Sequence, residues 1–453
     1  METPEKSVID SLTQFIRKSV SLKILTIFIL TMLLMIPMQF VGSLIYEREQ
    51  LRQAAITEVS DKWAREQHIY GPVLTLPFYK KIIEDGKTKL IREEAHILPS
   101  MLNIDGQITP QKLKRGIYEV VVYDSKIGFK GTFTGIEKYL TEIKDNEILW
   151  DEAFLTVNIS DLRGVKDKVI FNWNGQELPV EPGSQITQLI KSGITVNNIF
   201  TDSLKVNDTE FSFDLHLKGS QYLGFVPLGK ETTVKLKSNW QDPSFTGSFL
   251  PDERQLSKDG FTATYKILEL NRNYPQFWIG DQNIESMAGS DFGVNLLLPM
   301  NDYQKATRSS KYALLAIALT FLTFFLVEVF NKKEVHPFQY ILIGLALVLF
   351  YTLLISISEH TNFDAAYIIA SVSVISMIGL YAKAILKNLR QAVVLVLILA
   401  FTYTFVYITL QLQDYALLIG SIGLTLILAL TMFITRKVNW YDLNSLKKID
   451  SSN

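Results

Sequence analysis

Residues 335–364, VHPFQYILIGLALVLFYTLLISISEHTNFD, decide the fold. Residues 338–357 carry no charge, and as a helix they extend about 30 Å, the thickness of a bilayer's hydrocarbon core. Lys332 and Lys333 lie before this run, whereas Glu359, His360 and Asp364 follow it without any Lys or Arg. Short loops rich in Lys and Arg stay on the cytoplasmic side, so the lysine end is expected to face the cytoplasm.

Other apolar runs fall into register with this one. They cover residues 24–45, 312–330, 365–381, 392–412 and 415–434. Lys383, Lys387, Arg390, Arg436, Lys437, Lys447 and Lys448 lie on the side of Lys332, while the connections at 358–364 and 413–414 carry acids only. Six helices then place both termini in the cytoplasm and residues 46–311 on the exported side. A cleaved signal peptide is the rival reading of the first run, since Val41-Gly42-Ser43 loosely fits a cleavage site. The run is longer than an ordinary signal core, which favours a retained anchor kinked at Pro37.

The chain has 453 residues, 45 Lys and Arg against 46 Asp and Glu, and no cysteine. The charge balance argues against a nucleic-acid partner, which needs a basic face. Absence of Cys excludes disulfides, thiol catalysis and Cys-ligated zinc. A mean hydropathy of +0.16 fits a chain that is part membrane, part water-soluble.

Residues 46–67 read as a charged helix prolonging the first span, with Leu51, Ala55, Val59 and Trp63 forming an apolar stripe that packs on the adjoining domain. Gly71-Pro72 is expected to break that helix. The period then changes to two. Phe211, Phe213, Leu215 and Leu217 alternate with polar residues, as do Leu155, Val157 and Ile159. Residues 117–123, 127–133, 232–240 and 261–267 are further strands, with short helices expected at 135–147 and 186–190. Many short strands separated by turns predict a β sandwich.

Glu359, His360 and Asp364 form the best acid/base cluster, with residue types suited to proton exchange or metal binding. Glu359 and His360 are adjacent, however, and adjacent helical residues point apart, so a polar helix end is the simpler reading. His336-Pro337 suits a helix start, with Pro where a missing N–H is harmless. Glu328 stands one turn before Lys332 and is expected to pair with it. Ser160-Asp161-Leu162-Arg163-Gly164 looks like a nucleophile motif but is explained by capping and a Gly turn. The phosphate-loop, dinucleotide, GxSxG and HExxH patterns are absent.

The chain resembles the CreD family of inner-membrane proteins, associated with cell-envelope integrity. The resemblance is densest in His336-Pro337-Phe338-Gln339-Tyr340, in Leu349-Phe350-Tyr351, and in Ser358-Glu359-His360. It extends to Gly71-Pro72-Val73-Leu74, Gly116-Ile117-Tyr118, Ser160-Asp161 with Arg163-Gly164, Ser238-Asn239-Trp240 and Phe249-Leu250-Pro251. It implies residence in the bacterial inner membrane and a link to envelope stress, colicin tolerance and β-lactam response. It brings no reaction and no cofactor.

The expectation is an α-helical polytopic membrane protein of six transmembrane helices with a large inserted, all-β, sandwich-like periplasmic domain. Residues 1–45 hold the cytoplasmic N-terminus and first span, 46–311 the periplasmic domain, 312–435 a five-helix bundle, and 436–453 a cytoplasmic tail. The expected role is non-enzymatic, without cofactor or metal: an envelope-integrity and stress-response protein, partnered by the lipid bilayer and by an unidentified envelope component. A transporter or lipid-handling protein is the alternative, and a membrane-embedded hydrolase using Glu359 and His360 the third.

Overall fold

The computed structural model of the chain describes residues 20–84, 87–141, 143, 147–199, 208–296, 302–331, 335–412 and 415–436. Residues 1–19, Lys332, Lys333, Lys437, Lys447, Lys448 and the connection at 413–414 lie outside them. The chain divides into two compact units, Met1–Leu51 with Met300–Asn453, and Arg52–Pro299.

In the first unit, helix α1 (Val20–Trp63) passes uninterrupted through Pro37 and continues beyond Leu51 into the second unit. The remaining helices are α2 (Asp302–Lys311), α3 (Ala313–Asn331), α4 (Pro337–Ser358), α5 (Phe363–Leu386), α6 (Leu389–Gln411) and α7 (Ala416–Thr435). Helices α1, α4, α5 and α6 are each long and apolar enough to cross a membrane. Tyr303–Lys311 and Ala313–Val329, bent by 43° at Tyr312, make a fifth crossing if taken together. The last helix offers only a shorter apolar stretch, Leu418–Phe433. The described residues therefore support four or five crossings, where the sequence leads one to expect six.

The second unit is β-rich. Its strands begin with β1 (Gln67–Glu84), β2 (Lys87–Ile97), β3 (Met101–Arg115) and β4 (Tyr118–Phe133). Five short ones follow: β5 (Phe154–Ile159), β6 (Ile170–Trp173), β7 (Gln176–Pro179), β8 (Glu181–Pro182) and β9 (Gly193–Val196). Then come β10 (Thr209–Ser220), β11 (Tyr222–Phe225), β12 (Glu231–Ser238) and β13 (Pro243–Gly247). The last are β14 (Glu253–Ser257), β15 (Gly260–Leu268), β16 (Phe277–Ile279) and β17 (Phe292–Leu296). One sheet runs β13-β17-β11-β1-β5-β9-β8, with β2 on β1 and β16 on β2; the other runs β14-β15-β12-β3-β4-β10-β6-β7. Both are mixed, since β1 pairs parallel with β11 and β3 parallel with β12.

One apolar core lies between the sheets, because alternate residues of strands such as β3, β10 and β12 turn inward while β5 and β9 are buried throughout. Phe129 stacks on Phe213 within one sheet at 4.6 Å, and Tyr265 meets Phe292 of the other at 4.8 Å. Tyr123 donates across the core to the Tyr222 carbonyl at 2.8 Å, so its hydroxyl is not left bare.

The strands read from alternation are found, with residues 117–123 and 127–133 fused into β4. Three expectations fail. Helix α1 stops at Trp63, and Gly71-Pro72 instead lies inside β1, where pairing to β5 shifts between Tyr70 and Val73. Gly71 has φ +134°, and a Cβ there would meet the Val157 Cα at 2.8 Å, so only glycine fits. Leu51 is exposed rather than part of the packing stripe; Ile56, Val59 and Trp63 supply that contact, against Val120, Val122 and Leu113. Residues 186–190 form a hydrogen-bonded turn, and the helix at 135–147 shrinks to Ile136–Tyr139.

Candidate functional site

Glu328 is 4% exposed near the end of α3. Its carboxylate accepts from the Lys23 ammonium of α1 at 2.5 Å, from the Val335 N–H at 3.2 Å and from the Tyr340 hydroxyl of α4 at 3.2 Å. A buried carboxylate is tolerable only when paired and hydrogen-bonded in this way. One side chain thus bolts three helices together; the Lys332 expected from spacing as its partner lies outside the described residues.

The string beginning at His336 is built around the same bolt. His336 is the N-cap of α4, its Nδ1 accepting from the Phe338 N–H at 3.2 Å, and Gln339 reaches back to accept from the His336 N–H at 3.0 Å. Pro337 occupies the first helical position, where no N–H is required. Tyr340, one turn further, delivers its hydroxyl to Glu328. His336, Pro337, Gln339 and Tyr340 are therefore all occupied in starting α4 and fixing it.

Glu359 closes the opposite end of α4. It accepts from the Tyr303 hydroxyl of α2 at 3.2 Å and faces the Arg48 guanidinium of α1 at 3.5 Å. His360 is exposed, and so is Asp364, which accepts from Gln411 at the end of α6 at 2.9 Å. The three residues are not gathered into one centre: Glu359 turns to α1 and α2, Asp364 to α6. Among the described residues no group of three His, Asp or Glu side chains could hold a metal ion.

Lys23 and Arg48 are separated by about 38 Å along α1 at 1.5 Å per residue, slightly more than a hydrocarbon core. The two clamps thus grip opposite ends of a membrane-length stretch. Sequence reasoning missed Lys23, Arg48 and Tyr303 as partners. A lone Lys opening one apolar run and a lone Glu closing another on the same assigned side was the available signal.

In the second unit, the Ser160 string holds the end of α1. Asp161 caps a short turn by accepting from the Arg163 N–H at 3.1 Å, pairs with the Arg163 guanidinium at 2.5 Å, and accepts from the Arg65 N–H at 3.1 Å. Arg163 also donates to the Asp61 carbonyl at 2.6 Å, and Gln67 exchanges hydrogen bonds with the Asp161 backbone. The Arg163 guanidinium holds the Asp161 carboxyl down at about 2. Ser160 is engaged with the His68 backbone at 2.7 and 3.0 Å, bracing the start of β1. Gly164 has no room for a side chain, since a Cβ would meet the Gln67 amide at 2.8 Å.

A family model described as Inner membrane protein CreD matches residues 19–441. The chain belongs to this family. Inner membrane protein CreD of Escherichia coli strain K12 is 33% identical over 434 residues, covering 95% of each chain. Membership of the family, with the apolar helices, makes this a multi-pass inner-membrane protein with an envelope-associated role. The strings that carried the family resemblance at Ser160 and His336 are the ones seen capping, bolting and docking helices.

Proposed function

We propose that this family member is a non-enzymatic envelope protein whose β unit lies in the periplasm and binds an envelope component. In this reading the chain crosses the membrane six times, with α2 and α3 together as one bent crossing and α7 as the last. Both termini are cytoplasmic, as the Lys and Arg distribution favours. The observation that carries a binding role is the commitment of three acidic residues of the membrane helices, Glu328, Glu359 and Asp364, to structural contacts. Among the described residues Glu328 has three donors, Glu359 is held by Tyr303 and Arg48, and Asp364 accepts from Gln411. The large β unit remains as the part with free polar surface.

Topology is tested by reporter fusions: those after Lys333 and Arg390 should score cytoplasmic, and those at residues 200 and 361 periplasmic. A cytoplasmic signal at residue 200 would overturn the arrangement. Binding is tested by photo-crosslinking the full chain in native membranes from positions on the exposed faces of the β unit. A specific adduct is expected, and its absence from every position would remove the binding role.

A further inference from the structure

The outer face of the β3-β4-β10-β6 sheet changes character along its length. Toward α1, Val120 and Val122 are covered by Ile56 and Trp63. Next come ion pairs, Lys166 with Asp124 at 2.9 Å and His216 with Asp167. Beyond these a cleft of about 400 Å³ opens. That is within the roughly 300–1,000 Å³ of small-ligand sites. Asn103 of β3, Lys130 and Thr132 of β4, Glu210 and Ser212 of β10, and Asn172 of β6 line it.

These side chains face outward because their strand neighbours Ile104, Phe129, Phe211 and Phe171 face the core. Asn172 Oδ1 accepts from the Gly175 N–H at 2.9 Å; the side chains of the other five make no hydrogen bond or ion pair among the described residues. Lys130 lies opposite Ser212, and Glu210 opposite Thr132, so the two charged residues are diagonal neighbours, their strand positions about 7 Å apart, and among the described residues they do not pair with each other. A group that both donates and accepts can satisfy both at once, accepting from the ammonium and donating to the carboxylate. A hydroxyl is such a group. The amides of Asn103 and Asn172 add donors and acceptors of the same neutral kind, and half-exposed Met101 offers an apolar contact at the rim.

We propose that this cleft binds a neutral, hydroxyl-rich oligosaccharide, the class of envelope component that the β unit engages. The proposal rests on the binding role argued above. A peptide fits less well. The strand backbones here are already paired on both sides, so no edge is offered for strand addition, and most of the side chains lining the walls are polar.

The test uses the full chain in nanodiscs, with saturation-transfer NMR against chitotetraose, maltotetraose and tetra-alanine. At least one tetrasaccharide should bind saturably below roughly 10 mM, and tetra-alanine should not. Asn103→Ala and Ser212→Ala, at solvent-facing positions, should each weaken it about fivefold, the loss of one hydrogen bond, with unchanged melting. Absence of saturable glycan binding, binding indifferent to both substitutions, or preference for the peptide would each overturn the cleft. Retention of a crosslinked envelope partner by the Asn103→Ala, Ser212→Ala double variant would sink this inference while leaving the broader binding role standing. Loss of every adduct from the parent chain would remove both.

Discussion

In the helical unit, Glu328 sits 4% exposed with three donors directed at its carboxylate; on the β sheet, Glu210 stands exposed, its side chain unpaired among the described residues. The contrast follows from solvent. A carboxylate among apolar helices has no water to turn to, so its position is dictated by what it must pair with. A carboxylate on an outer strand face is already hydrated and free to serve something outside the fold. A buried carboxylate in the helices accordingly reports on assembly, and an unpaired carboxylate on the sheet reports on recognition.

The sharpest way to break that comparison is at Lys23. Lys23→Met leaves Glu328 buried with two neutral donors, which should destabilise the helix assembly by about 3–5 kcal/mol and strip the protein from membrane fractions. Glu328→Leu should lose the bolt as well. The double variant Lys23→Met, Glu328→Leu should recover part of the loss, because no uncompensated charge remains. Immunoblots of membrane fractions and thermal aggregation in detergent read this out. If Lys23→Met is as abundant and heat-resistant as the parent, the bolt is not structural. Glu210→Gln, at the other pole of the comparison, should change stability by less than about 0.5 kcal/mol.

Titration in the β unit gives an effect of intermediate size and definite sign. His96 is 2% exposed, bonded to Thr75 at 3.0 Å, and burial pushes its pKa down to about 4. Its neutral form is the one that fits, so the associated stability is fully present above about 6.5 and is lost as pH falls toward 4. The full shift corresponds to on the order of 3 kcal/mol. His68 has the opposite sign: its bond to Asp291 raises its pKa, so its contribution is present below 6.5 and lost as pH rises past the raised value. Melting of the full chain between pH 7 and 4 should show an acid-side decline that is flattened in His96→Phe, even though that variant starts lower. An unchanged slope would mean that His96 is not the group responsible.

How much could be read beforehand also differs between the regions. Charge-free runs of membrane length are local features, so α4, α5 and α6 were legible from residues 335–412. Alternation at Phe211, Phe213 and Leu215 was equally local, and β10 followed. Pairing is not local. The 18-residue β1 was missed because Gly71-Pro72 looked like an ending when it marks a bulge, a distinction set by Val157 on a partner strand. The cleft is a product of four strands brought together from residues 101 to 212. At the proposed cluster, adjacency of Glu359 and His360 already argued for divergence, whereas the identity of Arg48 and Tyr303 as partners required the helices to be assembled.

Glu359 sits between the two poles, since its side chain is 11% exposed and its partners are an Arg at 3.5 Å and a Tyr hydroxyl at 3.2 Å. If it serves assembly alone, Glu359→Gln retains a carbonyl oxygen for the Tyr303 hydroxyl and for the Arg48 guanidinium and loses only the charge. For a partly solvated pair that is worth about 1 kcal/mol or less, so abundance and growth under envelope stress should stay close to the parent. His360→Asn should be silent, because its exposed ring is not gathered with Glu359 and Asp364. Glu359→Leu should do more, since it strips both partners of their acceptor. A proton relay orders the variants differently: Glu359→Gln keeps the shape and cannot titrate, so function should vanish while the protein remains abundant. Chromosomal replacement, with a stress-growth assay read beside membrane immunoblots, separates the two orders. An inactive yet fully abundant Glu359→Gln would move Glu359 from assembly to chemistry.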